Sequence, residues 1–163
     1  MSKLDRRALV LGVGGLMLAA GPAFARAPEI YLDGGGFFGS AWTHAVDGHD
    51  VVAYFSLQPG DDPVVGSDAF VFQYKGARWR FASQENLDLF RANPEQFVPA
   101  YGGYCAWALA RDKLAKGAPD VWRVHNGRLF LNVSARFKRK WEENLERDVS
   151  RADGYWPGIL DRN

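Results

Sequence analysis

Residues 70–109 read FVFQYKGARWRFASQENLDLFRANPEQFVPAYGGYCAWAL, and this stretch determines the fold expected for the chain. Apolar and aromatic side chains alternate with other residues from Phe70 to Tyr74 and again from Arg78 to Phe81. Lys75-Gly76 separates the two runs and suits a tight turn. Because a period of two is the pattern of a half-buried strand, the two runs predict a β-hairpin.

A helix is predicted directly after this hairpin. Ser83 is a good N-cap residue, and the acidic Glu85 and Asp88 favour the positive end of a helix dipole. The pair Asn93-Pro94 ends the helix, since proline cannot continue it. A glycine-rich turn follows, and 106–113 predicts a further short helix that begins after Cys105.

The flanking segments repeat the same kinds of element. Val51 to Phe55 predicts a strand upstream, and 120–132 predicts a second hairpin around Asn126-Gly127, the preferred type I′ turn pair. Ser134 is expected to cap a last helix of about four turns. Its apolar stripe recurs every four residues, at Phe137, Trp141, Leu145 and Val149. The fold class expected is therefore α+β, a small antiparallel sheet of hairpins packed against about three helices.

Length and composition limit the classes of function. The 163 residues, 47% of them hydrophobic, are enough for one domain with a proper core. The formal net charge of +1 gives no sign of a nucleic-acid surface, so no nucleic-acid partner is expected. A single cysteine excludes an internal disulfide.

Residues 1–25 have the pattern of an export signal. Basic residues including Arg6 and Arg7 precede the apolar run 8–20, and the small residues Ala23 and Ala25 form an A-x-A cleavage pattern before Arg26. Two adjacent arginines resemble a twin-arginine signal; the alternative is an ordinary secretory signal. The apolar run is too short for a comfortable membrane span, so no stable span is expected after cleavage. The export machinery is then one partner, and the periplasm is the expected location.

The rest of the chain divides into two parts. Residues 26–45 are a glycine-rich lead-in for which little regular structure is expected, and 46–163 form the domain. Removal of the leader takes away three basic residues and one acidic residue, which changes the net charge from +1 to −1. Non-specific attraction of the mature domain to anionic polymers is therefore not expected.

The central stretch resembles the YHS domain family. The resemblance lies in the segments Tyr74–Gly76, Trp79–Ser83 and Phe90–Phe97. The segment from Asp47–Asp50 through Tyr54-Phe55 looks like the start of the same domain, and Tyr101–Ala106 looks like part of its extended form. The resemblance implies a treble-clef-like α+β core. The chain as a whole is similar to exported bacterial proteins that carry a single YHS domain.

The resemblance also bears on metal binding. In YHS domains attached to copper-transporting ATPases, cysteines follow the phenylalanine at the strand end and recur in the helix. Ala82 and Asn86 stand at those positions here. The resemblance therefore implies a metal-associated domain without the family's thiolate ligands, and soft metals need thiolate or imidazole.

Other residues supply a candidate metal site. Cys105 is expected near a helix start, which would make its thiol reactive or metal-binding; the alternative is a small buried apolar residue. His44 and His49 lie in one loop and form with Cys105 a set suited to a copper or zinc ion, with His125 as a fourth candidate. The alternative is that His44 is exposed, His49 holds a turn through a neighbouring aspartate, and His125 caps the second hairpin.

The leading interpretation is an exported periplasmic YHS-type binding protein that holds a transition metal or a periplasmic protein partner. One alternative is a small thiol-redox or enzyme-accessory protein that uses Cys105. Another is a non-catalytic structural domain that docks through exposed aromatic side chains. No complete catalytic constellation is visible, and Ser83 is already assigned as a cap, so the sequence favours a protein that is not an enzyme.

Overall fold

The computed structural model describes residues 26–32 and 44–162. Within these residues the chain forms two separate two-stranded antiparallel sheets and five α-helices, which confirms the α+β class. The elements in chain order are β1 (Ser67–Tyr74), β2 (Ala77–Phe81), α1 (Gln84–Ala92), α2 (Pro94–Phe97), α3 (Ala106–Leu109), β3 (Ala118–His125), β4 (Arg128–Asn132), α4 (Ala135–Glu142) and α5 (Leu145–Tyr155). Short 3-10 helices cover Val46–Gly48, Ala53–Ser56, Ala100–Gly103 and Gly158–Arg162.

Both predicted hairpins are confirmed. In the first, β1 pairs with β2 and Lys75 and Gly76 turn the chain with φ of 49° and 73°. In the second, β3 pairs with β4 and Asn126 and Gly127 have φ of 48° and 72°. Two successive residues with positive φ are the mark of a type I′ turn, whose twist matches that of the strands.

The first hairpin and α1 enclose an aromatic core around Phe90. Ser83 caps α1 as predicted, since its Oγ accepts from the Asn86 N–H at 3.2 Å. Phe90 is fully buried. Its ring centroid lies 5.0–6.1 Å from those of four other aromatic side chains, namely Phe72, Tyr74, Trp79 and Phe81. Such tilted and edge-on pairs add to the stability that burial already gives.

A second core lies under the carboxy-terminal helices, around the fully buried Trp141. The prediction of one continuous helix after Ser134 was wrong, because α4 ends at Glu142 and α5 begins at Leu145. Asn144 leaves the helical region with φ −137°, and its carbonyl then accepts from the Asp148 N–H at 2.9 Å. The predicted apolar stripe is nevertheless the buried side of both helices, since both pack on this same core.

The strand predicted at 51–55 was also wrong. Asp50 Oδ1 accepts from the backbone N–H groups of Val52 at 2.9 Å and Ala53 at 3.2 Å, which curls the chain into a turn. The 3-10 helix Ala53–Ser56 follows, and it buries Tyr54 with its hydroxyl donating to the Pro119 carbonyl. The helix predicted over 106–113 is shorter, since α3 ends at Leu109.

Residues 26–32, called the strap below, pack on the domain although they belong to the predicted lead-in. Ile30 is 2% exposed and belongs to the first core. The Tyr31 N–H donates to the Gly102 carbonyl at 2.8 Å, and the Tyr104 hydroxyl donates to the Pro28 carbonyl at 2.9 Å. The strap is therefore an integral part of the fold rather than an unstructured approach to it.

The predicted export signal, with Arg6, Arg7, Ala23 and Ala25, lies outside the described residues, as do residues 33–43 of the lead-in. Across 26–32 and 44–162, no helix has the length and apolar character needed to cross a membrane.

Candidate functional site

Cys105 lies at the N-cap of α3, where the sequence predicted a helix start, but it is fully buried. Its Sγ accepts from the Val133 N–H at 3.3 Å, and its thiol contacts Asn132 Oδ1 at 3.7 Å. Burial raises the pKa of the Cys105 thiol above its usual value, against the opposing effect of nearby backbone N–H groups. The geometry of Cys105 favours the interpretation as a small buried apolar residue over the interpretation as a reactive thiol.

We expect the Cys105 thiol of the native chain to react with a disulfide reagent at pH 8 at least ~100-fold more slowly than in the urea-unfolded chain, because only the exposed thiolate attacks. The absorbance of the released thiol measures the rate. A matched control carries Cys105→Ala with Val65→Cys, since Val65 is 63% exposed, and should react at the unfolded rate. Equal rates in the native wild type and this control would restore the thiol-redox interpretation.

His49 and His125 each have a hydrogen-bond partner of their own, whereas the buried His44 Nε2 has none among the described residues and lies 3.9 Å from Asp68 Oδ1. His49 Nδ1 lies 3.0 Å from the Val46 carbonyl, so it holds the turn through a backbone group rather than through a neighbouring aspartate. His125 Nε2 lies 2.8 Å from Glu146 Oε1, which ties the second hairpin to α5. The His44 ring is largely buried, and burial, followed by the charges of Arg80 and Arg78, lowers its pKa.

The structure does not assemble the predicted metal set of Cys105 with His44, His49 and His125. Within the described part of the chain, no three histidine, cysteine, aspartate or glutamate side chains form a group that could hold a metal ion. The assignment of copper or zinc to these four residues therefore gains no support from side-chain geometry.

A buried carboxylate organises the region where the resemblance placed thiols. Asp50 is fully buried, and its Oδ2 accepts from the Ala82 N–H and from Asn86 Nδ2, both at 2.7 Å. Its Oδ1 accepts from Val52 and Ala53, so four donors converge on one side chain. Sequence reasoning missed this role, although an aspartate followed by two valines at a turn offers the signal of a side chain that caps its own loop.

One concave feature of the described residues is an open pocket of about 240 Å³ between the two hairpins, called the inter-hairpin pocket below. Its walls come from the strap, the turn of the first hairpin, the loop after α2, the turn of the second hairpin and the carboxy-terminal segment. The lining residues are Glu29, Ile30, Lys75, Glu95, Gln96, Val98, Pro99, Ala100, Tyr101, Gly102, Gly127, Arg128 and Trp156.

One end of this pocket holds a cluster of charges around Lys75. Its Nζ lies 2.7 Å from Glu29 Oε1 and 2.8 Å from Glu95 Oε1, and the Tyr74 hydroxyl also donates to Glu95. Burial opposes the ammonium charge, but the hydrogen bonds to both carboxylates raise the pKa of Lys75 to about 12. The hydrogen bonds from Lys75 and Tyr74 lower the pKa of Glu95, so Lys75 and Glu95 are both charged at neutral pH.

The other end is built on Arg128, Asp153 and Tyr101. Arg128 donates twice to Asp153, at 2.9 and 3.1 Å, and its guanidinium lies 5.4 Å from the Tyr101 ring centroid. The Tyr101 hydroxyl donates to Asp153 at 2.9 Å. Burial, and then this bond to an anion, raises the pKa of Tyr101, so it stays neutral and acts as a hydrogen-bond donor. Sequence reasoning did not identify this pocket, because its walls come from segments far apart in the chain.

Comparison with known proteins bears directly on the first hairpin and the helices after it. Residues 61–101 match the family model of the YHS domain. No curated protein and no solved structure matches the chain. The matched residues include β1, β2, α1 and α2, and within the pocket they supply Lys75, Glu95 and Tyr101. The agreement of this match with the hairpin-and-helix core shows that the chain contains a YHS domain.

Proposed function

We propose that this chain is an exported, non-catalytic YHS binding protein whose ligand site is the inter-hairpin pocket. The observation that carries the proposal is the construction of that pocket. Five segments that are far apart in the described chain meet there. Hydrogen bonds between charged groups fix its polar walls before any ligand arrives. Pre-organised concave sites with a few fixed polar groups are the usual form of small-ligand sites.

The state of the candidate catalytic groups among the described residues supports the non-catalytic part of the proposal. Cys105 is sealed in the core, and Ser83 caps α1. Both carboxylates that line the pocket contact Lys75, and this contact lowers the pKa of Glu95, which is therefore not poised as a general acid near neutral pH. Binding is the function that this arrangement supports.

Export and a periplasmic location form part of the proposal on the strength of residues 1–25. Their basic start, apolar run and small residues before Arg26 have the pattern of a cleaved leader. Arg6 and Arg7 favour the twin-arginine route, and the export machinery is the partner proposed for this segment.

A metal ion does not form part of the proposal. YHS domains are associated with metal binding, but soft-metal sites need thiolate or imidazole ligands. Here Ala82 has no ligand atom in its side chain, and the Asn86 amide already donates to Asp50. With no other suitable group of three within the described residues, these side chains do not fit copper or zinc.

The proposal is tested by an NMR screen of the ¹⁵N-labelled full-length chain against small cationic, anionic and neutral compounds. We expect binders to shift the Trp156 indole N–H together with the backbone N–H groups of Gly102 and Gly127, since all three residues line the pocket. Gln96→Trp places a large ring in the pocket and should abolish these shifts, whereas Gln84→Trp on the exposed surface of α1 should leave them unchanged. Shifts that avoid the pocket, or that survive Gln96→Trp, would contradict the assignment.

A further inference from the structure

We infer that the inter-hairpin pocket selects a small organic cation, a primary ammonium or guanidinium compound of low mass. This inference rests on the proposed function and specifies the chemistry of its ligand. It follows from the balance of charges in the walls, from the aromatic surface beside them and from the size of the space.

At the Lys75 end of the pocket, negatively charged groups outnumber positively charged ones. Two carboxylates, Glu29 and Glu95, contact one ammonium group at 2.7 and 2.8 Å, which leaves one negative charge in excess. The side chains of Glu29 and Glu95 are 45% and 62% exposed, so part of each carboxylate remains accessible to a ligand. A ligand cation is attracted to this excess, whereas a ligand anion is repelled by it.

The opposite end of the pocket, at Arg128, does not supply a free positive charge that would offset this excess. Arg128 lines the pocket, but its guanidinium makes two hydrogen bonds with Asp153, which neutralises its charge. Bidentate pairs of this kind are strong and directional, so Arg128 has little free capacity for an incoming carboxylate or phosphate. With both cations of the pocket already paired, an acidic ligand finds no unpaired partner in these walls.

Aromatic surface adds to the preference. The aromatic surface that a ligand can reach is that of Trp156, which lines the pocket. Tyr101 is only 3% exposed, and its ring centroid already lies 5.4 Å from the Arg128 guanidinium. The faces of indole and phenol rings carry negative potential and attract cations. Carboxylates combined with aromatic faces are the chemistry by which proteins hold organic ammonium groups.

The size of the space sets an upper limit on the ligand. A pocket of about 240 Å³ admits roughly six to ten non-hydrogen atoms, since a water molecule in the liquid takes up about 30 Å³. A compact monoamine is of this size.

The test uses three probes of similar shape and different charge, namely benzylamine, benzyl alcohol and benzoate. Each is titrated at low ionic strength into the ¹⁵N-labelled full-length chain, and the shifts of the Trp156 indole and Gly127 N–H groups give its dissociation constant. We expect benzylamine to bind about tenfold or more tightly than either of the other probes, because only it combines positive charge with an aromatic body. A tenfold rise in salt should weaken benzylamine binding and leave benzyl alcohol binding unchanged.

A charge-neutral variant isolates the carboxylate contribution. Glu29→Gln should weaken benzylamine binding about threefold to tenfold, as expected for a partly exposed ion pair, and should not change the affinity for benzyl alcohol. The control Glu85→Gln removes an exposed carboxylate of α1 and should have no effect on either probe. Tighter binding of benzoate or benzyl alcohol in the pocket would overturn this inference and leave the proposed function standing. Failure of every compound of the wider panel to shift pocket residues would overturn both.

Discussion

Replacing Asp50 with alanine should lower the free energy of unfolding by at least about 3 kcal/mol, which we expect to be among the largest losses from any single polar substitution in this chain. The carboxylate is fully buried and accepts from four donors, in the loop after Gly48, at the end of β2 and in α1. Its removal leaves these donors without a partner, and each unsatisfied buried donor costs about 1–3 kcal/mol. Urea unfolding followed by tryptophan fluorescence measures the loss.

Two further variants keep this prediction falsifiable if the alanine variant does not fold. Asp50→Asn preserves shape but turns an N–H₂ group towards some of the donors, so it should lose most of the same stability. Asn86→Ala removes one of the four bonds and should cost about 1–2 kcal/mol. The control Asp62→Ala changes an exposed carboxylate of the preceding loop and should stay within about 0.5 kcal/mol of wild type. A loss for Asp50→Asn as small as that for Asp62→Ala would show that the carboxylate does not organise the region.

Replacing Gly102 with alanine should destabilise the chain by about 2–4 kcal/mol and detach the strap. The substitution strains a backbone position with positive φ, and it removes apolar surface of the strap from the core. Gly102 has φ +61°, and a Cβ built there would lie 1.7 Å from the Glu29 carbonyl oxygen. The Glu29 backbone cannot remain in place against such an atom. The Tyr31 N–H then loses the Gly102 carbonyl, and Ile30 leaves the core.

Hydrogen exchange identifies the element that moves in this variant. The Tyr31 amide should lose its protection in Gly102→Ala, while the amides of β1 and β2 keep theirs. The matched control is Gly76→Ala, since Gly76 also has positive φ, at +73°, but a Cβ there meets nothing within 4 Å. It should cost only about 1 kcal/mol, the conformational part of the effect. Equal losses in the two variants would mean that contact with the strap contributes nothing.

Local patterns predicted much of the fold. The alternation in 70–81 and the Asn126-Gly127 pair predict both hairpins, because strand period and turn type are decided by neighbouring residues. The strand at 51–55 failed because its apolar pattern was overridden by hydrogen bonds from the preceding Asp50 side chain. The break at Asn144 also escaped prediction, since the apolar spacing continues through it.

The candidate site was harder to predict for a related reason. The metal hypothesis was based on residue types that are rare in this chain, namely its single cysteine and its three histidines. The structure uses Cys105 as a core residue, and it gives His49 and His125 separate local contacts. The inter-hairpin pocket depends on Glu29, Lys75 and Arg128 meeting across about a hundred residues of chain. No local pattern encodes such a meeting, and no single residue in it is rare.

The strap also contacts the carboxy-terminal segment. The Ala27 N–H donates to the Leu160 carbonyl at 3.0 Å, and Arg26 pairs with Asp161 at 3.0 Å. The strap and residues 160–161 therefore meet at a seam, with Ile159 and Leu160 fully buried beside it. Deleting residues 26–27 or residues 160–161 would remove the same contacts, so both segments depend on one seam.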